Sequence, residues 1–224
     1  MRKIIVGTFV SLDGVMQAPG GPEEDTTGGF AFGGWVFPYW DEASGEAIDR
    51  IFSAPFDLLL GRKTYEIFAS YWPFHGDDPI GERFNAVTKF VVTSSPEQPL
   101  AWHNSVAIGG DVPAELAKLK EEEGPDLVVQ GSSVLIQTLL AHRLVDELVV
   151  QTFPVLLGKG KRLFGEDIAP GALQLVDSRT SSTGVVISRY LPAGEVRTGS
   201  FADERPSEAE LARRERWKRV EAGR

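Results

Sequence analysis

Three apolar runs in the sequence each end in small residues, hydroxyls or cations. The three endings are Gly61, Arg62, Lys63 and Thr64; Thr93, Ser94 and Ser95; and Gly131 and Ser132. Small residues let backbone N–H groups approach a phosphate, and the N-terminus of a following helix adds partial positive charge. If the runs are parallel strands, their carboxyl ends meet at one edge of a sheet, where ligands bind. The pattern therefore predicts a site for a phosphorylated ligand.

Each ending also has a purely structural interpretation. Glycine after a strand is often part of a turn, and Ser or Thr at the start of a helix commonly caps it. The sequence contains neither a Gly-x-Gly-x-x-Gly fingerprint nor a Walker loop, so neither motif explains the pattern. The agreement of three equivalent strand ends favours the ligand-binding interpretation.

The order of apolar and turn-forming segments predicts an α/β fold. Strands are predicted at 3–11, 56–61, 89–93, 105–108, 126–130, 147–154 and 184–191, and helices at 41–53, 62–71, 113–123 and 133–141. Strands that alternate with helices indicate a mostly parallel sheet, and the last two strands indicate an antiparallel pair. Residues 12–34 form a long Gly- and Pro-rich loop, which we call the Gly-rich loop and whose length is typical of functional loops. Residues 206–224 are charged and are predicted to form a solvated helix or a disordered tail in preference to a docking helix that carries Leu211, Trp217 and Val220.

The composition limits the classes of function. The 224-residue chain has a net charge of −9, which disfavours nucleic acid as a partner. It has no cysteine, so disulfides and thiolate catalysis are excluded, and a cytoplasmic location is expected. No segment approaches the roughly 20 apolar residues of a membrane span, so no membrane partner is expected. His75, His103 and His142 are widely spaced, and no metal site is predicted.

Five segments, taken in order, resemble one protein family. They are 6–16 (VGTFVSLDGVM), 57–66 (DLLLGRKTYE), 89–95 (KFVVTSS), 127–140 (LVVQGSSVLIQTLL) and 146–164 (DELVVQTFPVLLGKGKRLF). The chain thereby resembles the dihydrofolate-reductase-like proteins related to the reductase domain of bacterial riboflavin-biosynthesis deaminase-reductases. The resemblance covers residues 1–192 as one domain and leaves 193–224 as a charged tail or helix. It implies a central mixed sheet, mostly parallel with antiparallel C-terminal strands, and helices on both faces.

The resemblance implies that NADPH is the cofactor. Arg62 and Lys63 would lie near the adenosine 2′-phosphate or the pyrophosphate, and residues 93–95 would flank the adenosine. A helix start at residues 131–132 would hold the pyrophosphate, and the Gly-rich loop would lie beside the nicotinamide. The other residues implied at the cofactor are Gly14, Met16, Gly61, Thr64, Val134 and Leu135.

The residues expected on the substrate side are of several kinds. Asp13, in the Ser-x-Asp-Gly motif, and Asp41, at the start of the first helix, are the candidate catalytic carboxylates. Each has a structural alternative, in a turn or at a helix N-terminus. Trp35 belongs to an aromatic group that could stack on a planar substrate, pack in the core or form a dimer contact. Gln151, on a late strand, would line the pocket.

The function implied by the resemblance is NADPH-dependent reduction of a small heterocyclic or carbonyl substrate, of the 5-amino-6-(5-phosphoribosylamino)uracil reductase type. A ribose phosphate on such a substrate requires cations, for which Lys159, Lys161 and Arg162 are the candidates. The alternative is a non-catalytic nucleotide-binding or regulatory protein that retains the fold. A homodimer formed through the late strands is also implied.

Overall fold

A mixed sheet forms the centre of the computed structural model, which describes residues 1–166, 168–201 and 206–222. The strands within these ranges are β1 (Ile4–Ser11), β2 (Phe56–Gly61), β3 (Lys89–Val92), β4 (Ser105–Ile108), β5 (Asp126–Gln130), β6 (Glu147–Phe153), β7 (Leu173–Thr180) and β8 (Val186–Pro192). Their order across the sheet is β4-β3-β2-β5-β1-β6-β8-β7. Neighbours from β4 to β6 pair in parallel, whereas β8 is antiparallel to β6 and β7 is antiparallel to β8.

Helices flank both faces of this sheet. Those before residue 194 are α1 (Glu42–Ile51), α2 (Arg62–Ala69), α3 (Pro79–Ala86), α4 (Val112–Glu121) and α5 (Ser133–Ala141). Successive side chains of β2 point to opposite faces. Leu59 packs in the same core as Leu116 of α4 and Ile136 of α5, whereas Leu58 and Leu60 pack in a core shared with α1, α2 and α3. The predicted fold class is therefore confirmed.

Every predicted strand and helix before residue 192 is present, with each end within two residues of the predicted one. The structure adds α3 and β7, which the sequence analysis did not predict. The signal for α3 was available, because Asp78 caps the N–H groups of Ile80 and Gly81 and Pro79 occupies the first position. β7 is an edge strand whose side chains are mostly exposed, so it lacks an apolar pattern.

The chain divides into two compact units, residues 1–194 and 195–224. The second unit contains α6 (Glu208–Ala222), in which Arg213 pairs with Glu210 at 2.6 Å and lies over the ring of Trp217 at 4.6 Å from its centroid. Residues 202–205 and 223–224 of the predicted tail lie outside the described residues. In the described part of the chain, no helix has both the length and the apolar character needed to cross a membrane.

Candidate functional site

A cleft of about 1250 Å³ opens above the carboxyl ends of the central parallel strands. Its lining includes residues from four of these strands, namely Thr8 and Phe9, Gly61, Val92, and Gln130. The volume exceeds the roughly 300–1,000 Å³ of a pocket for one drug-sized ligand. The cleft is therefore large enough for a nucleotide cofactor together with a second small molecule, and it lies where parallel sheets bind ligands.

Two helices begin in the wall of this cleft. α2 follows Gly61 and α5 follows Ser132, and neither start has a capping side chain among the described residues. The two starts are tied together, because the N–H of Gly61 donates a 2.9 Å hydrogen bond to Ser132 Oγ. By contrast, α1, α3 and α4 are capped by Asp41, Asp78 and Asp111. The two helix starts, residues 61–64 and 131–134, form what we call the anion corner, where the first N–H groups of α2 and α5 have no partner within their own helix.

The turn between β5 and α5 brings its backbone close to α2. Gly131 and Ser132 both have positive φ values, of 69° and 64°. A Cβ atom on Gly131 would lie 3.3 Å from Thr64 Cγ2, so a larger residue would push the two segments apart. A left-handed residue other than glycine costs about 1–2 kcal/mol, and such residues cluster at functional sites. The turn is thus shaped to bring backbone N–H groups to the cleft.

Arg62 adds positive charge to the anion corner. Its Nε donates to Glu66 Oε1 at 2.7 Å, whereas its Nη1 is buried and has no hydrogen-bond partner within the described residues. A buried N–H group without an acceptor is costly, and a bound anion would remove that cost. The predicted cofactor residues that line this cleft are Met16, Gly61, Arg62, Lys63, Thr64, Gly131, Ser132 and Val134.

The Gly-rich loop forms another part of the cleft wall and is held by Asp25, which is only 8% exposed. Lys63 Nζ and Lys161 Nζ donate to the carboxylate of Asp25 at 2.9 and 2.6 Å, and Thr27 Oγ1 donates at 2.5 Å. Burial alone would raise the pKa of Asp25. The hydrogen bonds outweigh burial and hold this pKa below its ordinary value. Lys63 is therefore shared between the anion corner and the loop.

The same contacts shift the pKa values of neighbouring groups in different directions. The hydrogen bond to Asp25 raises the pKa of Lys63, whereas burial lowers the pKa of Lys161. Burial also raises the pKa of Glu24, whose carboxylate accepts a 2.6 Å hydrogen bond from the N–H of Gly20. Glu24 lines the cleft and binds a proton more readily than a solvent-exposed carboxylate does.

One face of α1 contributes a candidate that the sequence analysis did not select. Gly45, Ile48, Asp49 and Phe52 line the cleft, and their spacing of three and four residues puts them on one side of the helix. Asp49 is the acidic residue of this face and is exposed. The helical period of the apolar residues could have identified it, because Ile48 and Phe52 mark the same face.

Aromatic side chains form the part of the cleft near Asp49, which we call the aromatic end. Its residues are Phe9, Trp40, Phe52, Phe68, Trp72 and Phe84. Phe84 of α3 is central to it, with ring centroids 5.0 Å from Phe52, 5.7 Å from Phe68 and 5.2 Å from Trp72. Because α3 was not predicted, the position of Phe84 could not be anticipated.

The structure places Asp13 outside the lining of the cleft, in a tight turn. Its carboxylate accepts hydrogen bonds from Ser11 Oγ at 2.6 Å and from the N–H groups of Leu157 at 3.1 Å and Gly158 at 2.7 Å. The hydrogen bond from Ser11 is the main cause that lowers the pKa of Asp13 to about 2. Gly14, with a φ of 86°, completes the same turn and is also outside the lining. Asp13 therefore joins two loops through its carboxylate.

Asp41 is likewise engaged in structural contacts outside the cleft lining. Its Oδ1 accepts from the N–H of Ser44 at 3.1 Å and caps α1, and its Oδ2 accepts from the N–H and Oγ of Ser182 at 2.9 and 2.7 Å. The hydrogen bond from the Ser182 side chain is the main cause that lowers the pKa of Asp41 to about 2. These contacts match the structural alternative for Asp41, a position at the N-terminus of the first helix.

Trp35 and Gln151, expected at the substrate, are buried and absent from the cleft lining. Trp35 Nε1 donates to the carbonyl oxygen of Gln17 at 2.8 Å, and its ring packs edge-to-face on Phe153 at 5.4 Å. Gln151 Nε2 donates to the carbonyl oxygen of Ser44 at 3.2 Å. From the core, Trp35 therefore bonds the Gly-rich loop and Gln151 bonds the backbone of α1.

The remaining predicted cofactor residues also lie outside the cleft lining. Leu135 is 4% exposed and packs in the core, because it points from α5 toward the sheet. Thr93 Oγ1 accepts a 3.1 Å hydrogen bond from the N–H of Ser95, which closes a turn around Ser94. This turn directly follows Val92, so it stands at the border of the cleft.

Comparison with known proteins relates this geometry to a family. The RibD C-terminal domain family matches residues 2–187. The chain is 28% identical over 190 residues to the uncharacterized protein YyaP of Bacillus subtilis (strain 168), an alignment that covers 83% of this chain and 92% of YyaP.

Two solved structures share the fold. A pyrimidine reductase-like protein from Corynebacterium diphtheriae has a TM-score of 0.60 at 12% identity, covering 87% of this chain and 93% of that chain. Dihydrofolate reductase from Enterococcus faecalis, complexed with NADP(H) and RAB-propyl, has a TM-score of 0.55 at 18% identity, covering 85% and 96%. Because the family match spans most of the chain, the protein belongs to the RibD C-terminal domain family.

Proposed function

We propose that this protein is an NADPH-dependent reductase of a small planar or carbonyl-bearing substrate. The observation that carries the proposal is the anion corner, where two helix starts meet at Arg62. Within the part of the chain that the structure describes, neither start has a capping side chain and the buried Nη1 of Arg62 has no hydrogen-bond partner. A pyrophosphate fits such a corner, because it accepts hydrogen bonds from several N–H groups at once. Membership of the family and the NADP(H) of the Enterococcus faecalis neighbour support this choice of cofactor.

The residues of the anion corner would hold the phosphate groups of the cofactor. Arg62 and Lys63 supply positive charge, and Gly131 keeps the backbone of its turn open to a phosphate. When bound, NADPH supplies the hydride. The Gly-rich loop, anchored through Asp25, covers part of the cleft and limits the access of water to it.

Reduction also requires a proton, and the carboxyl groups of the chain differ in their ability to provide one. Asp13 and Asp41, each with a pKa of about 2, stay ionised at neutral pH and are fully engaged in other contacts. Glu24 lines the cleft and has its pKa raised by burial. We therefore assign to Glu24 the role of proton donor to the reduced substrate.

Calorimetric titration with NADPH and NADH tests the cofactor assignment. We expect NADPH to bind more tightly than NADH, and Arg62→Gln to weaken NADPH binding about tenfold or more, since a charged hydrogen bond contributes roughly 1.5–3 kcal/mol. Arg50→Gln is the matched control, because Arg50 is exposed and pairs with Asp177 outside the cleft. Absence of NADPH binding, or equal affinities of Arg62→Gln and the wild type, would contradict the assignment.

Cofactor binding alone would also fit a regulatory nucleotide-binding protein, so turnover is measured separately. We expect a panel of aldehydes and unsaturated heterocycles to include compounds that oxidise NADPH. Glu24→Gln should then lower kcat about 100-fold, the scale of general acid catalysis, while the affinity for NADPH is kept. Glu42→Gln is the control, because Glu42 is exposed and lies outside the cleft lining. NADPH binding without oxidation by any compound of the panel would favour the regulatory alternative.

A further inference from the structure

The positively charged side chains of the cleft lie at the anion corner and at Lys161, which pairs with the Gly-rich loop. Of the described residues that line the cleft, Arg62, Lys63 and Lys161 carry the positive charges. Lys63 and Lys161 both bind Asp25. Phe68 follows Arg62 by six residues in α2, which is about 9 Å along the helix axis. Among the described residues, the aromatic end therefore has no cationic side chain in its wall.

The cations expected to bind a ribose phosphate are engaged in other contacts. Lys161 is paired with Asp25 of the Gly-rich loop. Arg162 donates to the carbonyl oxygens of Asp13 and Gly158, the second at 3.0 Å. Lys159 is absent from the cleft lining and lines an adjoining, smaller pocket of about 290 Å³. A phosphate at the aromatic end would thus find none of the three in its surroundings.

The charge in the cleft lining beside the aromatic end is negative. Two cations outside that lining, Arg83 and Lys89, donate to the carbonyl oxygens of Phe52 at 3.4 Å and Phe84 at 3.1 Å. Asp49 lies on the cleft face of α1, one helical turn from Phe52. A phosphate dianion placed here would lose hydration without gaining a cationic partner, and Asp49 would repel it. A planar ring would instead pack against the aromatic side chains, and Asp49 would attract a positive charge on that ring.

From these observations, and resting on the cofactor placement proposed above, we infer that the substrate is a planar, largely apolar ring system that carries no phosphate. The site favours a cationic ring over a neutral one. The substrate class therefore differs from the ribose-phosphate substrate that the family resemblance implied. The anion corner serves the phosphates of the cofactor, and the aromatic end serves a substrate without any.

Three bicyclic probes of similar size test this inference by calorimetry. They are 4-aminoquinoline, a cation at neutral pH, neutral 1-naphthol, and 1-naphthyl phosphate, an anion. NADP⁺ is titrated first and then kept at saturation, so that the anion cannot enter the anion corner. We expect 1-naphthyl phosphate to bind at least about tenfold more weakly than 1-naphthol, and 4-aminoquinoline to bind about three- to tenfold more tightly than 1-naphthol.

Asp49→Asn should remove the advantage of 4-aminoquinoline and leave the affinity for NADP⁺ unchanged. Glu42→Gln is the matched control, because it removes the same charge from the same helix outside the cleft lining. If 1-naphthyl phosphate binds as tightly as 1-naphthol, or if none of the probes binds, the inference is overturned while the cofactor proposal stands. If NADP⁺ itself does not bind, the first titration shows that the cofactor proposal has failed.

Discussion

Asp25 joins three parts of the cleft wall, so we expect Asp25→Asn to lower the free energy of unfolding by about 2–3 kcal/mol. The carboxylate bonds Lys63 of α2, Lys161 and Thr27. The two lysines are 47% and 36% exposed in their side chains, so each pair contributes at most about 1 kcal/mol. Weakening the bond from Thr27 to a charged acceptor costs about 1 kcal/mol, and the new amide would face Lys161 donor to donor.

The pH dependence provides a second measure of the same interaction. Because hydrogen bonds hold the pKa of Asp25 below its ordinary value in the folded protein, the unfolded chain takes up this proton first as the pH falls. The stability that Asp25 contributes is fully present above the ordinary aspartate pKa of about 4 and is lost progressively below it. The difference between the wild type and Asp25→Asn should therefore shrink on going from neutral pH toward about pH 3.

Urea denaturation at both pH values measures this difference, and Glu23→Gln in the same loop serves as the control because Glu23 is exposed. Hydrogen exchange of the amides of the Gly-rich loop should show lower protection in Asp25→Asn, since Asp25 fixes the loop to α2. A loss of less than about 0.5 kcal/mol at neutral pH, the scatter expected of surface changes, would refute the reasoning. An unchanged difference at low pH would do the same.

Two further predictions concern stability. Gly131→Ala should destabilise the protein by about 1–2 kcal/mol in thermal unfolding, because Gly131 has a positive φ and an added Cβ would contact Thr64. Gly45→Ala in α1 should instead stabilise the protein by about 0.5–1 kcal/mol, because the added methyl group would meet open space. Equal effects of the two substitutions would contradict this prediction. Burial lowers the pKa of Lys89 to about 8 from 10.5, so the unfolded chain binds more protons between these pH values and wild-type stability should rise across them relative to Lys89→Met. Identical pH profiles of the two proteins would count against that explanation.

The anion corner could be predicted from the sequence because it is built from backbone at the ends of strands. A strand followed by Gly61 or by Gly131 leaves a local signal in a few adjacent residues, and parallel pairing brings such ends together. The sequence did not reveal the pairing of Lys63 with Asp25, because these residues lie 38 positions apart and one belongs to a loop without periodicity. The sequence therefore did not show that Lys63, a predicted cofactor residue, also pairs with Asp25.

The side of the cleft proposed for the substrate was harder to predict because its residues come from separate segments. Asp13 and Asp41 stand in local motifs, and the local contacts of those motifs engage both carboxylates. Asp49 stands in no motif and is marked only by the face of α1 that it shares with Phe52. Local signals thus select residues that shape the backbone, whereas a side chain that lines the cleft, such as Asp49, is revealed by long-range packing.

The anion corner and the aromatic end differ in how they are built, and therefore in how they tolerate substitution. The anion corner depends on helix starts and on the turn at Gly131, where most changes disturb the backbone. The aromatic end depends on side chains from β1, α1, α2 and α3, which can be exchanged for others of similar volume at a cost usually below about 1.5 kcal/mol. Under the proposed function, changes there would alter the choice of substrate while the cofactor still binds at the anion corner. Membership of the family would then constrain the proposed cofactor more strongly than the substrate.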